Sequence, residues 1–411
     1  MAKLQGNALI FTQGGPTPVI NGTIVGAVQG FQDYPEVGTI IGAIAGTKGI
    51  LNQELVDLGA QTLSVLRGIE FTPASALSTT RHRPTAEECQ KILQILEAHQ
   101  IRFVVGIGGN DTSETLAIIN NAAKTEEYEL RLFHAPKTID NDLVLNDHTP
   151  GYGSAARFVA QAFMGVNLDN RAFGGLYLAV CMGRHAGFLT AASALGRRSA
   201  DDGPHLIYLP ERAFDIGRFA DDVWNVHQRL GRCVVAVSEG VADAEGTPVL
   251  QTLSGSLDQD VHGNVQLSGT GALGDGLTAL MTAEFKKRGM EKVRARADTF
   301  GYLQRSFPQQ SEVDRMEALE VGRFAAQQAM SGNVDGSIVI VRDTNAPYKV
   351  HYERVDLEQV AGKTRTMPDE YINEAGNDVT PAFIQYARPL VGELSPMADL
   401  DMAMIPKVAL D

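Results

Sequence analysis

No apolar run in this 411-residue chain approaches the ~18 residues that a membrane-crossing helix needs, so a helical membrane protein is excluded. The opening Met1–Gly6 stretch has no charged segment leading into an apolar one of signal-peptide length, and the expected location is therefore the cytoplasm. Cysteine is scarce. Cys89, Cys181 and Cys233 are odd in number and widely spaced, which fits reduced, buried thiols and leaves no zinc spacing. Basic residues are outnumbered, 35 Lys and Arg against 49 Asp and Glu, and the net charge of −14 argues against a nucleic-acid or anionic-membrane surface. A small anionic substrate remains compatible if a few Arg and Lys converge in one cleft. The chain also lacks a G-x-x-x-x-G-K-[ST] phosphate loop, a Ser-His-Asp order, internal repeats and low-complexity tracts.

What is present is the composition of a folded globular protein, 44% hydrophobic and 20% charged. Its length exceeds one ordinary core and suits two lobes or one large α/β domain with additions. Strand-like apolar runs fall at 8–11, 40–44, 103–107, 130–133, 176–180, 206–209, 234–237 and 337–341. Helical patterns lie between them at 20–31, 86–98, 113–123, 153–163, 214–230, 277–288 and 314–330. That alternation predicts an α/β fold of two Rossmann-like lobes with mostly parallel sheets and with ligands at the strand C-termini. The expected division is a donor lobe at 1–142 completed by later segments, a second lobe at 143–320, and a segment at 321–411 that returns to the core. Glycine-rich turns between 253 and 276 are expected to form a surface excursion.

Chemistry-bearing residues cluster at the ends of these strands. Gln13-Gly14-Gly15-Pro16-Thr17 follows the first; its glycines allow close approach of a phosphate, and Pro16 suits the first turn of the next helix, whose amides would favour an anion. Gly108-Gly109-Asn110-Asp111-Thr112 repeats the pattern with an amide and a carboxylate, although Asp111 could equally be a helix N-cap. Pro136-Lys137-Thr138-Ile139-Asp140-Asn141-Asp142 adds a compact cation and two carboxylates that share a face if the segment is extended, able to divide base and metal duties. Arg184, in Met182-Gly183-Arg184-His185, reads either as a phosphate or sugar contact or as a salt bridge closing a turn. Glu239 reads either as a ligand for sugar hydroxyls or as a helix cap. Arg296 and Arg305, with Tyr302-Leu303-Gln304 between them, form a basic cluster suited to a phosphomonoester. Phosphate turns, metal-side carboxylates and a base on successive strand ends point to phosphoryl transfer.

On these motifs, in their order along the chain, the sequence resembles the phosphofructokinases, and within them the pyrophosphate-dependent type. The matching stretches are 14–21, 108–112, 136–142, 182–187, 238–240 and 301–306, with 366–392 resembling the family tail. The resemblance implies a phosphofructokinase-like fold and transfer of a phosphoryl group to the C1 hydroxyl of fructose 6-phosphate, reversibly, in glycolysis and gluconeogenesis. It makes Asp140 the base, with Lys137 and Arg184 beside it; Gly14, Gly15, Arg81, Asp111 and Lys137 contact or select the donor, and Asn110 and Asp142 hold Mg²⁺. Thr138, Ile139, Asp140, Met182, Gly183, Arg184, Glu239, Tyr302, Leu303, Gln304 and Arg305 would bind the sugar phosphate. Arg296 would reach a neighbouring subunit's site, implying a homodimer or homotetramer.

Donor choice follows from Asp111. Relatives that use ATP usually carry glycine there, and a carboxylate about 4 Å from a phosphate at an effective dielectric of about 20 repels it by roughly 4 kcal/mol, about a thousandfold. Lys137 would neutralise a pyrophosphate leaving group. Two departures from the family pattern stand out. Asn110 replaces an Asp, and 174–181 lacks an Arg and a Glu that relatives carry, with Arg171 as a candidate replacement and other sugar phosphates, such as sedoheptulose 7-phosphate, as candidate substrates. A catalytically weak binding or regulatory paralogue and an ATP-dependent kinase are the alternatives.

Overall fold

Alternating strands and helices build two sheets in this structure, a computed structural model that describes residues 3–254, 271–400 and 403–408. The first sheet comprises β1 (Gly6–Thr12), β2 (Val37–Ala43), β3 (Leu55–Asp57), β4 (Ile101–Gly108), β5 (Arg131–Pro136), β10 (Asp335–Asn345) and β11 (Tyr348–Val355). The second comprises β6 (Gly175–Cys181), β7 (Leu206–Tyr208), β8 (Arg232–Ser238) and β9 (Ala295–Thr299). Each expected apolar run lies in or overlaps one of these strands. The expected excursion at 253–276 falls mostly outside the described residues, and its last residues enter the helix Ala272–Lys287.

The first sheet is ordered β11-β10-β5-β4-β1-β2-β3, parallel except for the edge strands β3 and β11. Runs such as Ala8–Phe11 and Phe103–Ile107 are apolar on both faces because helices cover both sides of a parallel sheet. β2 lies on one side of β1 and β4 on the other, so the strand order reverses there and opens a crevice outside the strand C-termini. The second sheet, β7-β8-β6-β9, is parallel throughout.

Long-range helix contacts lock the two ends of the chain together. The helix Ile20–Gln32 packs so closely on the helix Glu312–Met330 that a Cβ at Gly26 would stand 1.9 Å from the Leu319 carbonyl oxygen, which only glycine permits. The helix Tyr152–Phe173 extends ten residues past its expected end, and its start is capped from afar. Asp314 accepts hydrogen bonds from Gly151 N and Ser154 N, both at 2.8 Å, because Gly151 has no side chain to do so. The helix Pro381–Val391 buries Phe383, Tyr386, Ala387 and Leu390 against the same core. Among the described residues no helix is long and apolar enough to cross a membrane.

Candidate active site

The C-terminal ends of β1, β4 and β5 form one wall of a cleft of about 350 Å³. Gly14 and Gly15 line it after β1, Asn110 and Asp111 after β4, and Lys137, Thr138, Asp140 and Asp142 after β5. Arg81 and Arg83 enter from the connection before the helix Ala86–Ala98, and Arg184 enters from the second sheet.

The two glycine turns differ in build. Helix Ile20–Gln32 begins four residues beyond Pro16, so Pro16 lies in the turn and not in a first helical turn as the sequence suggested. Thr79 Oγ1 donates to Gly14 O at 2.6 Å and Gly14 N to Thr80 O at 2.8 Å, fixing the loop without a helix N-terminus. The second turn runs straight into the helix Asn110–Thr125, with Gly109 at the N-cap, so Asp111 is not the cap and the first-turn amides face the cleft end where an anion is favoured. His134 holds this turn from behind. Its Nε2–H donates to Gly108 O at 2.9 Å and its Nδ1 accepts from Ser337 Oγ at 2.8 Å, and burial pushes its pKa down to about 4, which keeps it neutral.

Asp140 and Asp142 reach the same cleft, but through a bend, because Asn141 at φ +61° occupies the left-handed region and the segment is not extended. Asp140 Oδ1 is buried without a hydrogen-bond partner, the mark of an atom waiting for a ligand. Burial pushes the Asp140 carboxyl up, against the pull of Arg184, Lys137, Arg305 and Arg81, and burial together with Asp140 pushes Asp142 up. Lys137 is 3% exposed; its Nζ donates to Gly15 O at 2.6 Å, and burial lowers its pKa to about 8 despite the attraction of Asp140. Asn110, Asp140 and Asp142 offer hard oxygen donors, which fits Mg²⁺ held by one or two carboxylates with phosphate and water completing its shell. Among the described residues no group of three His, Cys, Asp or Glu forms a protein-only cage.

The opposite wall is built at the ends of β6, β8 and β9. Glu239 is buried and accepts from Arg184 N at 3.3 Å and Gly183 N at 3.4 Å, while burial and Asp140 raise its pKa to about 7. The Glu239 carboxylate therefore shapes the 182–184 turn, and Gly240 permits the contact, since a Cβ there would meet Arg184 O at 1.6 Å. Arg184 itself is held at φ +50°, a strained setting for a non-glycine residue beside a ligand cleft. Gln304 is fully buried, accepting from Met182 N at 3.2 Å and donating to Gly301 O at 3.0 Å. Tyr302 is half-exposed under the Arg305 guanidinium at 4.0 Å, and Arg305 Nη1 lies 2.8 Å from where a Gly15 Cβ would be.

Three expected residues stand apart. Ile139 points into the core, Leu303 faces solvent, and Arg296 lines a separate depression with Arg294, Tyr177 and Asp298. Arg296 and Arg305 thus do not form one cluster within the chain. Arg171 pairs with Asp399, and the guanidinium that lines the depression with Arg296 is that of Arg294, which lies 3.8 Å from Asp169. Sequence reasoning also missed Arg83, which pairs with Asp111 and lies 3.7 Å from Glu114. Asp111 is therefore paired with a guanidinium and is not the lone charge that the sequence suggests. The Arg-His-Arg run at 81–83 was the available signal.

Comparison with known proteins gives the family. A family model described as Phosphofructokinase matches residues 7–329. A pyrophosphate-fructose 6-phosphate 1-phosphotransferase from Rhodospirillum rubrum is 52% identical over 395 residues, 96% of each chain. One of the same name from Xanthomonas campestris is 33% identical over 403 residues, 96% of this chain and 93% of the relative. The crystal structure of a pyrophosphate-dependent phosphofructokinase from Marinobacter aquaeolei superposes with a TM-score of 0.83 at 27% identity, covering 96% of this chain and 94% of the other. With two sheets facing one cleft and a matched span from β1 to the helix Glu312–Met330, this chain belongs to the phosphofructokinase family.

Proposed function

We propose that this chain is a reversible pyrophosphate-dependent 6-phosphofructokinase, converting fructose 6-phosphate and pyrophosphate into fructose 1,6-bisphosphate and phosphate. The observation that carries the reading is the meeting of Lys137, Asp111 and a buried Asp140 with an unpartnered oxygen in one cleft. Asp140 takes the proton of the C1 hydroxyl; the C1 oxygen bonds to the near phosphorus, and the bridging P–O bond breaks to release phosphate. Lys137 and Arg184 meet the charge that develops on the transferred and departing groups. Asn110 and Asp142 hold Mg²⁺, which when bound neutralises phosphate charge.

The sheet containing β1, β4 and β5 handles the donor, with Gly14, Gly15 and Arg81 at the phosphates and Asp111 excluding ATP. The sheet of β6 to β9 handles the sugar phosphate. Thr138, Met182, Gly183, Arg184, Glu239, Tyr302 and Arg305 bind it directly, Ile139 through its main chain, and Gln304 supports the 182 turn. Arg296, outside the cleft of its own chain, serves the site of a second copy, so the enzyme works as a homodimer or homotetramer. Arg294 beside it takes the place of the arginine missing before Met182.

Fructose 1,6-bisphosphate formation with Mg²⁺, measured in parallel with pyrophosphate and with ATP, tests the reading. Turnover with pyrophosphate alone is expected. Turnover with ATP alone would overturn the donor assignment, and silence with both would point to another sugar phosphate or to a catalytically weak paralogue.

A further inference from the structure

We infer that Arg365, acting through Asn141 and Tyr386, is the positioning residue that aims Asp140; this rests on Asp140 being the base. The Asp140 Oδ1 atom has no hydrogen-bond partner, so nothing at that oxygen fixes its direction. Its direction comes from the backbone of 138–143, which carries a bridge from Thr138 to Gly151 and a bond from Asp140 N to Thr138 Oγ1 at 3.1 Å, and which turns at the left-handed Asn141.

That turn is clamped by a segment more than two hundred residues away. Arg365 Nε donates to Asn141 O at 3.0 Å, and its Nη2 donates to Asn141 Oδ1 at 3.1 Å and to Asp147 O at 2.7 Å. Nη1 donates to Asn146 O, and the Arg365 main-chain N donates to Asp142 O at 2.7 Å. Asn141 Nδ2 in turn donates to Tyr386 Oη at 2.8 Å, and the Tyr386 hydroxyl donates to Asp147 O at 2.7 Å. One rigid fork thus ties the carbonyls of 141, 146 and 147, a task beyond a lysine ammonium, which lacks the planar spread of donors. The strap continues to the other wall. Glu211 Oε1 accepts from Met367 N at 2.9 Å and from Gly187 N at 2.8 Å, next to the turn that bears Arg184. A single segment, 364–367, therefore sets the base loop and the Arg184 turn in one frame, and a base displaced by about 1 Å loses roughly a hundredfold in rate.

The test compares Arg365→Ala, Arg365→Lys and Tyr386→Phe with Asp140→Asn, reading kcat, KM for fructose 6-phosphate, thermal midpoint and hydrogen exchange of residues 138–147. Expected are a loss of roughly a hundredfold in kcat for Arg365→Ala and about tenfold for Tyr386→Phe, with KM within about threefold. Exchange should quicken in 138–147 alone, free guanidinium should restore part of the Arg365→Ala loss, and Arg365→Lys should not. Unchanged kcat and exchange, or a fall in kcat, binding and midpoint together, would overturn the inference. If Arg365→Ala does not fold, Tyr386→Phe decides on the same readouts. An active Asp140→Asn would instead remove the base assignment, whereas an inert Asp140→Asn beside a normal Arg365→Ala would remove only the positioning role.

Discussion

Asp111 and Arg83 are both half-exposed at the donor end of the cleft, 57% for the arginine side chain and 51% for the carboxylate, so their pairing adds little to stability. Its consequence is for donor choice: the carboxylate fills space beside Asn110 and keeps Arg83 occupied. Asp111→Gly is expected to raise kcat/KM for ATP by about a hundredfold or more, and adding Arg83→Ala should remove about tenfold of that gain, because the released guanidinium then meets the nucleotide phosphates. Equal ATP use by the single and double variants would refute that role for Arg83. Lys137→Met should lower pyrophosphate-supported kcat by roughly 10²- to 10³-fold, the loss typical of removing one preorganised donor at a developing anion, while leaving KM for the sugar nearly unchanged. At this scale the carboxylates and Lys137 were legible because they stand beside glycine turns at strand ends. The partners of Arg83 and Arg365 were not, because pairings across 28 and 224 residues leave no periodicity or spacing to read, and for Arg83 the basic run at 81–83 marks the residue but not its partner.

Elements with continuous apolar runs were also legible, as was the helix Ala86–Ala98 from its helical pattern; the structure adds a Thr85 and Glu88 capping box at its start. β3, β9 and β11 escaped because they lie at sheet edges, β3 being only three residues long and the other two alternating polar with apolar residues; in β11 the period-2 pattern of Tyr348, Val350 and Tyr352 was there to be found. The β10–β11 hairpin is joined to the helix Glu312–Met330 by a buried charge cluster. His148 lies between Asp147 at 2.7 Å and Glu317 at 2.6 Å, and Tyr348 donates to Glu317 at 2.5 Å. Burial alone would lower the His148 pKa, but Glu317 and Asp147 outweigh it and raise the value from 6.5 to about 9. A raised folded-state pKa means that the stabilisation, of order 3 kcal/mol, is complete below about pH 6.5 and disappears as pH climbs through about 9. Urea unfolding of the protein and of His148→Gln should therefore differ most near pH 6 and converge near pH 10; a constant difference would refute a charged His148.

Across the whole molecule the three thiols report on separate cores. Cys89 packs in the core that covers one face of the first sheet, while Cys181 and Cys233 lie in β6 and β8, and all three are buried with their pKa values raised by burial, Cys89 to about 11. A thiol reagent such as an aromatic disulfide is expected to modify none of them in the native state, and labelling should track opening, with mass spectrometry separating Cys89 from the other pair. Mg²⁺ with pyrophosphate and fructose 6-phosphate should slow labelling of both sets, since ligands that join two walls stabilise both. Rapid native labelling at the rate of an exposed thiol would contradict the burial.

β10 and β11 complete the first sheet from residues 335–355, whereas every strand of the second sheet lies within 175–299. During synthesis the ribosome therefore delivers a finished set of strands for the second sheet before β5, already paired with β4, has its outer neighbour β10. The N-terminal strands must wait with an open edge at β5 until the chain has emerged from Pro136 as far as Asp335, the circumstance in which nascent chains aggregate or engage chaperones. A circular permutant that opens the chain just before β10 and joins residue 411 to residue 1 would shorten that wait.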